Sequence, residues 1–142
     1  MAYREKLAWV TLFGMAATIG VYLAWAWTMG DESAAMPNLG MMGAYAAAAV
    51  AWAAIYGLAR LVLRLKSPAE ARARADERDM AIDRRSTQIA YFVLMGLTLY
   101  VGGYLPFVTR GWEIVNSAIA SVVIAELVRC IVAVVAYRRS AA

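Results

Sequence analysis

Histidine is absent from all 142 residues, and Cys130 is the only cysteine. Such a chain cannot assemble a His-ligated haem, a His-based zinc triad or a Ser-His-Asp nucleophile. One thiol gives neither an intrachain disulfide nor a thiolate metal cluster, so Cys130 reads as a small apolar residue within a hydrophobic run. There is no GxxxxGK[ST] loop, no GxGxxG after a strand and no HExxH, which removes support for nucleotide-binding and zinc-protease readings. Charge is scarce as well. Only 17% of residues are Asp, Glu, Lys or Arg, against about a quarter in a soluble domain. The expectation is a protein without cofactor or metal. With no Arg-Gly repeat and no basic-aromatic platform, it is also expected to bind no nucleic acid.

What fills the space is apolar sequence, 63% of the chain. Residues 7–29 carry no charge, and about 20 apolar residues suffice to cross a bilayer. The run also exceeds the roughly 7–15 residues of a signal-peptide core, so a cleaved leader is not the expected reading. Three further runs cover residues 39–65, 89–108 and 114–137. The second is Ala-rich, with Gly40, Ala44 and Ala48 on one four-residue repeat and Gly43, Ala47 and Ala51 on another. Small residues at this spacing let helices approach closely. Gly96, Gly102 and Gly103 predict further close approaches in the third run. Pro37-Asn38 and Thr109-Arg110-Gly111 read as turns.

Between the second and third runs lies the only long polar stretch, Ser67 to Ala90, with five arginines against five carboxylates. Ser67, Pro68 and Glu70 form a helix start: a capping side chain, a residue preset for the first turn, and a carboxylate that reaches back. A charged helix over about 68–88 is expected, and no Gly or Pro stops it before the third run. Glu70–Arg74, Arg72–Asp76 and Arg74–Glu77 have the spacing of intrahelical ion pairs.

The basic residues are distributed unevenly. Of 14 Lys and Arg, 12 fall on the N-terminal, central or C-terminal segments. Arg110 lies on the other side and Arg129 within the fourth run. The positive-inside rule then places both termini and the central segment in the cytoplasm. Two short patterns add a resemblance: Arg4-Glu5-Lys6-x-x-Trp9, and Asp76-Glu77-Arg78-Asp79-x-x-Ile82-x-x-Arg85. With the ending Tyr137-Arg138-Arg139, the chain resembles a group of small bacterial four-span inner-membrane proteins with an REK-x-AW start, a cytosolic DERD or DERE segment and a YRR close. The resemblance implies a topology, and it brings over no catalytic residue.

Glu126 is the sharpest anomaly, a carboxylate at the centre of the fourth run. A charge at mid-bilayer costs at least ~2.5–3.5 kcal/mol, so such a residue is by default a functional candidate. Arg129, three positions on and on the same helical face, offers the structural alternative of a neutralising pair. Ser117, Ser121 and Ala125 form a small-residue stripe with Asn116 beside its start. It reads either as helix packing or as a polar path towards Glu126. Thr18 and Thr98 lie at similar expected depth and can hydrogen-bond Glu126, with Tyr100 a half-turn outward.

The expected architecture is therefore an all-α bundle of four transmembrane helices, N-in and C-in, forming one membrane domain with a charged cytosolic helix between helices two and three. The expected function is that of a non-enzymatic inner-membrane protein acting through helix-helix or cytosolic-segment contacts. Its partners would be the lipid bilayer and either a second copy of itself or a membrane or cytosolic protein. The alternative is a small proton-coupled transporter built around Glu126. A membrane-embedded enzyme ranks third, for want of histidine and of a convergent carboxylate pair.

Overall fold

A computed structural model describes residues 3–29, 38–66, 77–109 and 111–139, and all but the turns are helical. Helix α1 (Tyr3–Met15) passes through a π-helical turn (Ala16–Gly20) into α2 (Val21–Met29). Helix α3 spans Leu39–Lys66 and α4 spans Glu77–Gly103; a single turn, α5 (Leu105–Val108), precedes α6 (Trp112–Arg139). Among the described residues, four helical stretches are long and apolar enough to cross a membrane: Glu5–Thr28, Leu39–Lys66, Glu77–Val108 and Trp112–Arg139.

The π turn has a local cause and a packing consequence. Thr18 Oγ1 donates to the Gly14 carbonyl at 2.7 Å, and a side chain engaging the backbone ladder is a common origin of such a distortion. Thr11, Met15, Ile19 and Leu23 are all buried, four residues apart each time. In an unbroken α-helix, four residues overshoot a full turn by about 40°, so this row would wind off the buried face. The wider turn takes up that drift. At Gly14, α1 and α3 approach closely: a Cβ there would lie 3.4 Å from Ile55 Cγ2.

The turn signals act where the sequence places them. Asn38 caps α3, its Oδ1 accepting from the Met41 N–H at 3.1 Å, which satisfies one of the unpaired amides of the first turn. Pro106 lacks an N–H and crowds the carbonyl four residues back, and α4 accordingly stops at Gly103. Gly111 adopts φ 64°, a conformation that favours glycine. Thr109 Oγ1 is hydrogen-bonded to the Glu113 carboxylate across this turn. The polar stretch and the third apolar run form one uninterrupted helix from Glu77, as the lack of breakers predicted. The helix start at Ser67, Pro68 and Glu70, the ion pairs involving residues 70–76, and Arg110 lie outside the described residues.

The helices pack in the order α3, α1/α2, α6, α4. Helices α6 and α4 share the longest interface, α1 packs on both α6 and α3, and the two outer helices make no extended contact with each other. The central core joins Met15, Ile19, Tyr22, Leu23 and Ala26 to Met41 of α3 and to Trp112, Ala120 and Val123 of α6. Of the two small-residue rows in α3, Ala44 and Ala48 pack against this core, whereas Gly43, Ala47 and Ala51 face outward. The close approaches expected at Gly96, Gly102 and Gly103 do not occur: a Cβ at any of them would meet nothing within 4 Å. Helix α4 instead turns Ser86, Ala90 and Val101 inward, leaving its glycines on the far side.

Candidate functional site

Glu126 and Arg129 are brought together. Arg129 Nε donates to Glu126 Oε2 at 3.0 Å and Nη2 to Oε1 at 2.5 Å, the two-pronged geometry in which guanidinium and carboxylate bind most strongly. The pair is one helical turn apart, so α6 alone brings it together. A third group arrives from α4: Asp83 Oδ1 lies 3.6 Å from Arg129 Nη1. Arg129 thus bridges a carboxylate of its own helix and one on the charged stretch of its neighbour. Ser86, fully buried, sits one turn from Asp83 and donates to its carbonyl at 2.9 Å.

Beside this bridge is a cavity of about 180 Å³, walled by α1 (Leu7, Ala8, Thr11), α3 (Tyr56), α4 (Ile82, Asp83) and α6 (Arg129, Cys130, Ala133, Tyr137). Glu126 is not part of its wall. Thr11 contributes a buried hydroxyl already committed to the Leu7 carbonyl at 3.0 Å, and Cys130 a buried free thiol.

The remaining candidate residues are placed elsewhere. Asn116 is fully buried and accepts from the Tyr22 hydroxyl at 2.8 Å. It lies ten residues from Glu126 along α6, about 15 Å at the helical rise. Ser121 turns its hydroxyl back to the Ser117 carbonyl at 2.8 Å. Thr18 is bonded to Gly14, and Thr98 is exposed on α4; neither hydrogen-bonds Glu126. The reason is common to the hydroxyls of Thr11, Thr18 and Ser121. A hydroxyl within a helix finds the carbonyl four residues back before any distant partner. A continuous polar path from Asn116 to Glu126 is therefore not assembled.

One contact was not foreseen. Glu5 is buried, with Arg138 Nε 3.9 Å from its Oε1, and the Arg138 guanidinium lies 5.4 Å from the centre of the Trp9 ring. This joins the start of α1 to the end of α6. It also places the three short patterns at one end of the molecule: Glu5, Ala8 and Trp9 from the first, Ile82 from the second, Tyr137 and Arg138 from the third. Their shared apolar-plus-charge character was the available signal, although nothing in the spacing says which helix meets which. Among the described residues no three acidic or cysteine side chains gather as a metal site.

Fold and site together define a helical protein with four membrane-length helices and a charge-bridged cavity at one end. Comparison with protein-family models, curated proteins and solved structures finds no match.

Proposed function

We propose that this is a multi-pass protein of the bacterial inner membrane, N-in and C-in, that acts without enzymatic chemistry through helix-helix or cytosolic-segment contacts. Two features support a lipid setting. In the most apolar window of each long helix, a third of the residues are buried in the first and last helices, 11% in the third and none in the second. The large apolar side chains therefore point mainly outward, which lipid tolerates and water does not. The distribution of Lys and Arg then supplies the orientation.

The observation that carries the functional reading is the Glu126–Arg129–Asp83 bridge. It commits the one carboxylate at the centre of the fourth helix to a guanidinium, and it fastens the charged stretch of α4 to α6. A helix held in this way is a stable surface for a neighbour. The small proton-coupled transporter remains the second reading, because a cavity adjoins the bridge. Against it, Glu126 is turned to Arg129 and lies off the cavity wall.

Two measurements on the full chain test the proposal. Single cysteines replacing Arg139 and Glu113, both exposed, in a Cys130→Ser background should label only from the cytoplasmic and the periplasmic side respectively. In proteoliposomes with an entrapped pH dye, Glu126→Gln should leave proton flux under an imposed gradient as in the parent. A flux that disappears in Glu126→Gln would replace the contact reading with the transporter.

A further inference from the structure

The cavity beside Arg129 has the features of a binding site, and the geometry points to a compact zwitterion as its ligand, an ammonium and an oxyanion held a few bonds apart. The inference does not depend on how the chain contacts its neighbours. Small side chains line it on both sides of the α1–α6 seam, Ala8 on α1 and Cys130 and Ala133 on α6, which leaves the space open. Two of its polar groups have unspent hydrogen-bonding capacity. Arg129 uses Nε and Nη2 on Glu126; Nη1 makes no hydrogen bond among the described residues, its nearest acid being Asp83 at 3.6 Å. Asp83 likewise accepts no side-chain hydrogen bond there. A guanidinium edge that can still donate thus stands beside a carboxylate that can still accept.

Charge selects the ligand class. A simple anion would gain Arg129, but it would face Asp83 and a guanidinium already half-neutralised by Glu126. A simple cation would gain Asp83 and be repelled by Arg129. A molecule carrying both charges satisfies both groups, its oxyanion on Nη1 and its ammonium on Asp83, and charge-assisted bonds of this kind are the stronger ones. Tyr56 and Tyr137 contribute aromatic rings to the wall, and ring faces attract an ammonium further. The same chemistry is available from two sources: a free solute, or the headgroup of an ethanolamine lipid.

The test uses the full chain. In detergent, the unfolding midpoint should rise with O-phosphoethanolamine or β-alanine and stay unchanged with ethanolamine alone or inorganic phosphate alone, since a ligand that binds the folded state stabilises it. In phosphatidylglycerol nanodiscs, added phosphatidylethanolamine should raise the midpoint where phosphatidylcholine does not, and should be retained in native mass spectra. A response to the free zwitterions identifies a solute site, a response to the lipid alone a headgroup site; either upholds the inference. Asp83→Asn, a change at an exposed side chain, should weaken the response at least about tenfold. Ala133→Phe should abolish it by filling the cavity. The inference is overturned if neither source shifts the midpoint, if inorganic phosphate acts as well as the zwitterions, or if Asp83→Asn responds like the parent.

Discussion

Removing either partner of the Glu126–Arg129 pair should destabilise the fold, and the structure says which removal is worse. In Glu126→Gln, Arg129 loses its two-pronged partner but keeps Asp83 at 3.6 Å. In Arg129→Leu, Glu126 has no other cation among the described residues, since both of its recorded contacts are to Arg129. Stranding a fully buried charge costs about 3–5 kcal/mol. Here the side chains of Glu126 and Arg129 are 29% and 36% exposed, so screening reduces that figure. We expect a loss of about 2–3 kcal/mol for Arg129→Leu and about 1 kcal/mol for Glu126→Gln. At roughly 2–4 °C per kcal/mol, the first is a fall of about 4–12 °C in Tm. The double variant removes both charges of the pair and leaves only the exposed Asp83 without its Arg129 contact, so it should recover much of the loss. The assay is thermal unfolding of the parent, both single variants and the double variant in one detergent. Arg129→Leu as stable as the parent, or a double variant at or below the sum of the singles, would refute the reasoning.

Two further predictions concern packing. Tyr22→Phe removes one hydrogen bond to the buried Asn116 Oδ1 and should cost about 0.5–1.5 kcal/mol, read by thermal unfolding, while Tyr100→Phe on the exposed face of α4 should be neutral. Gly14→Val adds bulk where even a Cβ would lie 3.4 Å from Ile55 and should destabilise by about 1–3 kcal/mol. Gly96→Ala, made in open space, should stabilise by up to about 1 kcal/mol through helix propensity; equal effects at the two glycines would show that α1 and α3 do not pack as described.

The sequence by itself determined the elements. Four apolar runs, Asn38 before the second, Pro106 near the end of the third and Gly111 after it, and the lack of Gly or Pro between Glu77 and Met95 set where the helices start, stop and continue. These are local effects of hydrogen-bond supply and backbone sterics, and they need no partner. The Glu126–Arg129 pair was legible for the same reason, because three residues along a helix bring side chains onto one face. Tertiary structure alone decided the rest. The order of the helices, the outward glycines of α4, the π turn that keeps Ile19 and Leu23 on the face of Met15, and the meetings of Arg129 with Asp83, Tyr22 with Asn116 and Arg138 with Glu5 all depend on which side of each helix meets a neighbour. In an amphipathic soluble helix, the polar stripe marks the outside. Here both sides are apolar, so the runs that announce the helices conceal their facing, and only side-chain fit between packed helices resolves it.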